Sequence, residues 1–591
     1  MKKPAQDIHP VCRMRSGIVC LGLLCGFALI GCRLFYLQVI QAEAGAHQAQ
    51  RQHQKTVIIK PDRGVILDRQ GHPLALNVEV PSVYVNPGSL QNPQQMAREL
   101  GQVLQMPVEH LRDLFSRGQP YVWVKRHIPD RMAKKLESMK IPGLEVIKEP
   151  HRFYPKGALV SHILGFAGID SQGLEGIEFQ YEPYLRGEQN LKKYQRDALG
   201  RKIAPPHHQD VHNLRMGYHL TLTIDEIVQF IAEEELAKAL KQSRAKSGSI
   251  VIMDPLTGAI LAWALQPTFD PNHFGKFAPE QRRNRAVTDP YEPGSTLKIV
   301  VAAAALEEQI MAPDTLIYGG EGQMPVAGTI VHDPAKSSWM TFSEAVAQSS
   351  NVGVIKVAVD LGRSRVFQYL RAFGFGEKTG IDLPGESSGI LHDLNKWSGR
   401  SLSSIAMGQE IAVTPIQMVT AMSVVANGGW LMTPYVGSSV LDDQGRAVLI
   451  QDPQPKRRPI SEETAGLLRH ILETAVNKGT GKRAKLADYQ VAGKTGTSQK
   501  IDPETGSYSS SKVIASFVGF VPAHQPRLTM LVVIDEPEVG NWGGEIAAPV
   551  FRKVAKRVLP HLGVMPGGAR TIRTASAPPN PSSRHSLLVH Y

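Results

Sequence analysis

The sequence has 591 residues but only 4 cysteines, Cys12, Cys20, Cys25 and Cys32, and none follows them. No disulfide and no cysteine-ligated metal can therefore support the bulk of the chain. The four cysteines lie in or beside one apolar run, a membrane setting rather than the polar loop of a redox pair or zinc cluster. Aromatic residues are few, at 6%, and the formal charge of +12 comes with no zinc-finger spacing, arginine-rich arm or stacked-aromatic pattern. That combination argues against nucleic-acid binding. A basic exported protein facing an anionic lipid surface or an acidic polymer accounts for the charge. No internal repeat is visible, and 42% hydrophobic with 20% charged residues implies about three or four ordinary globular units.

One long hydrophobic run is present. Lys2, Lys3, Arg13 and Arg15 precede an uncharged stretch from Gly17 to Cys32, Arg33 interrupts it, and Leu34 to Ile40 resumes it. The pattern predicts a single membrane helix over 17–40, with residues 1–16 cytoplasmic and the rest outside. Arg33 is placed to snorkel to the outer interface, with Phe35 and Tyr36 in the aromatic belt. Ala42-Glu43-Ala44 offers a cleavage site and Leu29-Ile30-Gly31-Cys32 a lipid-attachment signal at Cys32. The apolar residues continuing to Ile40 favour an uncleaved anchor over both.

A mixed module follows at 48–216. Helical periodicity covers 93–104, 108–116 and 130–139, and strand patterns cover 82–85 and 144–147. The glycine-punctuated segment 165–178 reads as turns, with its acids, Glu175 and Glu178 among them, as cap residues. Ala204-Pro205-Pro206-His207-His208 marks a linker within 202–217; its two histidines have no carboxylate or cysteine partners and predict a solvated loop, not a metal site. A second module, 217–560, opens on a strand and on Asp225 capping a helix to about residue 245. Two apolar strands then form a hairpin across Asp254-Pro255-Leu256-Thr257-Gly258. A helix-rich section extends to roughly residue 480, and strands return at 490–493, 515–520 and 528–534. This order predicts an α+β fold, an antiparallel sheet built from both ends of the module with helices packed on it. Residues 561–591, with Ala577-Pro578-Pro579-Asn580-Pro581, read as a disordered tail.

Three short motifs carry the chemistry. In Pro293-Gly294-Ser295-Thr296-Leu297-Lys298 a turn leads into an apolar helix. Three residues make nearly one helical turn, so the Lys298 amine shares a face with Ser295, where burial would depress its pKa and let it take the hydroxyl proton. Ser-x-x-Lys alone is common. Ser349-Ser350-Asn351, at the junction of two helical patterns, can turn a hydroxyl and an amide into a cleft. Lys494-Thr495-Gly496-Thr497 follows a strand, where Lys494 and Thr495 would face the cleft and Gly496 would let a substrate backbone lie alongside. Singly these are helix caps and turns; in this order they form a rare set, closely related to that of class A β-lactamases and penicillin-binding proteins.

The chain resembles a class B penicillin-binding protein, a membrane-anchored peptidoglycan D,D-transpeptidase. The likeness extends over Arg63-Gly64-Val65-Ile66-Leu67-Asp68-Arg69, Gly176-Ile177-Glu178, Thr223-Ile224-Asp225 and Ala547-Ala548-Pro549-Val550-Phe551. Asn284 to Asp289 is similar to the division-type branch. Gly408-Gln409-Glu410 departs from it, since relatives often have glycine where Glu410 stands. The resemblance implies a transpeptidase domain after an elongated α+β pedestal, with Ser295 acylated, Lys298 as its base, and Ser349 relaying a proton to the leaving D-alanine. Asn351 would bind the peptide. Lys494, Thr495 and Thr497 would hold its terminal carboxylate, and the N–H groups of Ser295 and Thr497 would form the oxyanion hole. It further implies stem peptides ending in D-Ala-D-Ala as substrate, trapping by β-lactam antibiotics, no metal and no cofactor. The inner membrane, a membrane glycosyltransferase and division proteins would be its partners, the pedestal serving as their docking surface and carrying no glycosyltransferase motif of its own. A β-lactamase or carboxypeptidase is the rival enzyme; Leu391 occupies the position of the deacylating glutamate in Leu391-His392-Asp393-Leu394-Asn395. A non-catalytic sensor or wall scaffold is the rival from outside enzymology. The short stretch ahead of the anchor and the three intact motifs argue against both.

Overall fold

The computed structural model describes residues 10–43, 54–59, 61–119, 121–187, 190–195, 216–502 and 504–566. The basic histidine loop at 207–208, and 567–591 of the expected tail, lie outside them. The first helix, α1 (Pro10–Phe35), begins seven residues before the expected 17 and continues as a π-helical turn, Tyr36–Ile40. Its apolar part, Met14–Ile40, is 27 residues long, more than the roughly 20 that a bilayer needs. Arg33 lies over the Tyr36 ring at 5.6 Å. Gln54–Ile59 and Asn190–Gln195 pair as an antiparallel ribbon in the same contact unit as α1.

The other unit holds residues 62–187 and everything from Met216. Its central sheet is set by alternation. In β1 (Ser247–Met253), Ile250 and Ile252 enter one hydrophobic cluster while Val251 and Met253 enter another, the two-residue period of a strand covered on both faces. β2 (Ile260–Gln266), β3 (Ala492–Ile501), β4 (Tyr508–Val521) and β5 (Leu528–Asp535) complete it. The order is β2-β1-β5-β4-β3, every neighbour antiparallel, with Ser247 opposite Asp535. The sheet is thus closed from both ends of the domain, as its sequence order implies. α2 (Glu226–Ser243), capped by Asp225 through the N–H groups of Ile227 and Val228, covers one face. α3 (Lys298–Glu307), α4 (Asn351–Leu361), α5 (Pro415–Ala426) and α6 (Glu462–Asn477) add to the cluster on the other. α7 (Gly543–His561) packs beside α2, bringing Phe551 and Val554 to the cluster of Ile250 and Phe517. Its helix reaches one residue into the expected tail, and Tyr489 donates to the Val564 carbonyl at 2.8 Å just beyond it.

The linker does not separate two cores. His219–Leu222 pairs in parallel with Ile66–Leu67 and antiparallel with Gly437–Leu441, so one sheet runs from the catalytic module into the pedestal. Ile66, Leu74, Ile163 and Phe166 share a cluster with Val300 and Met418. The helices Pro93–Leu104, Val108–Ser116 and Asp130–Ser138 build a separate cluster around Val83, Leu100, Leu111 and Leu136. Strands Pro73–Val85 and Leu144–Phe153 are longer than their sequence patterns. None of the residues from Leu76 to Val80 is fully buried, so pairing there is not marked by a buried apolar face.

Glu178 is not a cap residue. It is fully buried, accepting from Arg63 Nε at 2.6 Å and Arg152 Nε at 2.6 Å, while Tyr154 OH donates at 3.2 Å. Arg63 also bonds Glu182 and the Glu178 carbonyl, the latter at 2.7 Å, and Arg152 bonds the Gly64 carbonyl at 2.8 Å. Burial alone would raise the Glu178 pKa, but the two guanidinium groups outweigh it and hold the carboxyl below its ordinary 4.5. Removing the Glu178 charge leaves buried Arg152 without its carboxylate and Arg63 with Glu182 alone. Glu178→Gln is expected to lower unfolding stability by about 3–5 kcal/mol, measured by denaturant titration at neutral pH. The wild-type protein keeps this contribution above pH 4.5 and loses it as pH falls through the depressed native pKa.

Candidate active site

The turn before α3 is shaped by close backbone approaches. Gly294 (φ +56°) donates to the Gly408 carbonyl at 3.0 Å, and a Cβ on it would lie 2.8 Å from the Thr497 oxygen. Only glycine fits a left-handed residue wedged between a loop and β3. The 3₁₀ turn Gly294–Leu297 is tightened by Thr296 Oγ1 donating to the Pro293 carbonyl at 2.8 Å, and it runs directly into α3 at Lys298. Ser295 is left half-buried at the head of the helix, facing a cleft of about 670 Å³.

Every residue from Lys298 to Leu306 is buried, so the Lys298 amine is held in an apolar helix. Its Nζ donates to the Ser349 carbonyl at 2.8 Å and Asn351 Oδ1 at 2.7 Å, with Ser349 Oγ at 3.3 Å. Desolvation pushes its pKa down to about 7, against a smaller upward pull from Asp333. Ser349 reaches this position in a left-handed conformation, φ +64°, strain of the kind that persists where a carbonyl must be aimed. The Ser295 hydroxyl has no hydrogen-bond partner among the described residues, so in this state the amine is engaged by the middle motif rather than by the serine one turn away.

The third motif lies on a strand, as expected, inside β3. Lys494 was expected to face the cleft; it is instead fully buried beneath it, its Nζ 3.3 Å from the Thr495 carbonyl. Burial pushes its pKa well below the usual lysine value, and the Lys298 charge adds to the fall. Gly496, which lines the cleft, also has a packing reason for being glycine. A Cβ there would lie 2.4 Å from Ser516 Oγ and 2.8 Å from Thr296 Cγ2, so its bareness lets the nucleophile turn pack on the strand. Ser295, Ser349, Asn351, Thr495, Gly496 and Thr497 all line the cleft. Thr497 Oγ1 accepts from Gly543 N at 3.1 Å, which ties the strand to the start of α7. Glu410 adopts φ +58° and its N–H is bound by Glu292 Oε1 at 3.0 Å. The loop therefore keeps a glycine-like, left-handed backbone at Glu410.

Sequence reasoning missed Asp333. Its carboxylate accepts from Ser350 Oγ at 2.6 Å, Asn351 N at 2.5 Å and Val352 N at 3.0 Å, holding the head of α4, while the preceding His332 carbonyl accepts from Asn351 Nδ2 at 2.8 Å. Both ends of the Asn351 amide are thereby fixed. The only signal was the Asp333-Pro334 turn dipeptide. Thr480, Lys482, Arg483 and Trp542 also line the cleft, signalled only by the glycine turns Gly479-Thr480-Gly481 and Trp542-Gly543-Gly544.

A serine and a buried lysine facing a Ser-x-Asn junction and a Lys-Thr-Gly strand set the protein among the penicillin-recognising serine acyltransferases. Residues 248–556 match the model of the penicillin-binding protein transpeptidase domain, and 58–222 that of the penicillin-binding protein dimerisation domain. The chain is 37% identical over 548 residues to stage V sporulation protein D of Bacillus subtilis, covering 91% of this chain and 84% of that one. It is 30% identical over 568 residues to peptidoglycan D,D-transpeptidase FtsI of Escherichia coli K12, covering 94% and 93%. Penicillin-binding protein 3 of Mycobacterium tuberculosis, solved with aztreonam, superposes with a TM-score of 0.68 at 27% identity over 86% of this chain and 98% of that one. The chain belongs to the class B penicillin-binding proteins and is a peptidoglycan D,D-transpeptidase.

Asp333→Asn removes the charge that raises the Lys298 pKa and leaves one acceptor oxygen for three donors. The pH midpoint of acylation is expected to move below about 7, and the plateau rate to fall roughly ten- to a hundredfold through misplacement of Ser349 and Asn351. Stopped-flow acylation by a fluorescent penicillin across pH 5–9 reads both.

Proposed function

We propose that Ser295 is the acylated residue and that the Lys298–Ser349–Asn351 cluster moves its proton; the observation that carries this is the buried amine, poised near pH 7 and within 3.3 Å of the Ser349 hydroxyl. Neutral Lys298 takes the Ser295 proton as Oγ attacks the penultimate D-alanine carbonyl of a stem ending in D-Ala-D-Ala. The developing oxyanion is received by the N–H groups of Ser295 and Thr497. The proton passes through Ser349 Oγ to the leaving nitrogen, the C–N bond breaks, and the terminal D-alanine departs as a neutral-amine product. An amine of a neighbouring stem then attacks the ester, returns its proton along the same path and releases Ser295, leaving a crosslink. Lys494 supports this from below by fixing the Thr495 carbonyl, while the Thr495 and Thr497 hydroxyls meet the substrate's carboxylate. A β-lactam enters the same sequence, but its leaving nitrogen stays attached and the ester persists.

The same reading places α1 in the bacterial inner membrane with the catalytic module on the periplasmic side, supported by its apolar length and by Lys2, Lys3, Arg13 and Arg15 ahead of it. The pedestal would dock a membrane glycosyltransferase and division proteins during septal wall synthesis, in keeping with a relative named FtsI. The higher identity to a sporulation protein favours a second reading of timing, in which the same chemistry serves spore formation.

Mass spectrometry after penicillin treatment is expected to find one covalent adduct, on Ser295, absent in Ser295→Ala; an adduct elsewhere defeats the assignment. The acylation rate should rise with pH along a limb centred near 7, because only the neutral amine accepts the proton. Lys298→Arg, which stays protonated, should remove that limb and slow acylation by about a thousandfold or more. A stem-peptide thioester with a D-amino-acid acceptor separates transfer from hydrolysis by the product formed.

A further inference from the structure

A cleft that recognises a terminal carboxylate needs a charge or charged hydrogen bond at its wall. Lys494 cannot present one: it is sealed beneath the floor and its amine is turned to a backbone carbonyl. The basic residues that do line the cleft, among those described, are His332, Lys482 and Arg483. His332 belongs to the wall that carries Asp333, whereas Lys482 and Arg483 stand on a short 3₁₀ turn, Lys482–Ala484, beside β3.

That turn is rigidly built. The Gly479, Thr480 and Gly481 N–H groups donate to the carbonyls of Thr474, Ala347 and Ala475 at 3.2, 3.2 and 3.0 Å, and Ala484 is fully buried. Thr480 Oγ1 lies 2.7 Å from Thr495 Oγ1. A carboxylate resting on the Thr495 hydroxyl would therefore sit two residues from Lys482. Both cations are exposed, and neither forms an ion pair with a described residue. Lys482 makes no side-chain hydrogen bond, and Arg483 has only a 3.4 Å contact with the Glu545 carbonyl. Glu545 is the acid on the same rim of the cleft, and its side chain is exposed without bonding either cation. Two unpaired charges on a well-held turn beside a hydroxyl pair form an anion-recognition wall.

We infer that Lys482 and Arg483 recognise the carboxylate of the leaving D-alanine, and the equivalent carboxylate of a β-lactam, working with the Thr480 and Thr495 hydroxyls. They are specificity residues: they select a free C-terminal carboxylate over an amide or ester and take no part in bond breaking. The inference rests on the acyl-enzyme reading above.

The test compares benzylpenicillin with its neutral methyl ester as acylating agents of the full-length protein. In Lys482→Ala/Arg483→Ala the ratio of acid to ester second-order rate constants is expected to fall about tenfold, through weaker binding of the acid, with the limiting acylation rate retained. The wild-type rate for the acid should drop with rising salt and the variant's should not. Exchanging the two residues, Lys482→Arg with Arg483→Lys, should restore the ratio. Equal loss for acid and ester, or an unchanged ratio, overturns the inference while leaving Ser295 acylation standing. A wild-type protein that neither compound acylates overturns the parent reading and this one with it.

Discussion

The structure depends on a charge kept out of water. An ammonium group inside an apolar helix is costly, and the protein relieves that cost by making the amine neutral near physiological pH rather than by supplying a counter-ion. Asp333 is near enough to be felt but is committed to the head of α4. The remaining contacts of Lys298 are a carbonyl, a hydroxyl and an amide oxygen, which hold the amine in place without fixing its charge. Lys494 adds a second buried amine close by; burial lowers its proton affinity and the Lys298 charge lowers it further. The core is thus more than a support for the site, since its low polarity sets the acid–base state of the site.

Geometry follows from the same packing. The nucleophile turn is squeezed between Gly408 on one side and Gly496 and Thr497 on the other, contacts that a single Cβ would break. Position at Ser295 is consequently shared among three segments far apart in sequence. The pedestal is joined to this assembly by a common sheet and by Tyr181, whose hydroxyl donates at 2.7 Å to Asp382, an acid also bound by the N–H groups of Val436 and Gly437. The pedestal is thus tied to the catalytic domain by hydrogen bonds and strand pairing.

Much of the fold was legible because its signals are local. The Asp225 cap, the apolar period of β1 and β2 and the helices of the pedestal are written in neighbouring residues, and Ser295, Ser349 and Thr495 could be named from short motifs. What was not legible depends on contacts across the chain. Nothing near Glu178 shows that Arg63 and Arg152 converge on it, and nothing in Lys494-Thr495-Gly496 shows which face of β3 is the floor of the cleft. Asp333 was hidden for the same reason: its partners lie seventeen to nineteen positions away, in a helix it does not belong to.

The pairing of Ser247 with Asp535 has a consequence for the order of events in the cell. The first strand of the central sheet pairs at once with β2, but its other edge waits for β5 until nearly three hundred further residues have left the ribosome, and β3 is held in the sheet only through β4 and β5. A nascent chain therefore carries Ser295 and Lys298 before the sheet that the nucleophile turn packs on is complete. The turn that carries the nucleophile thus gains the strand it packs against only after the C-terminal part of the domain has been made.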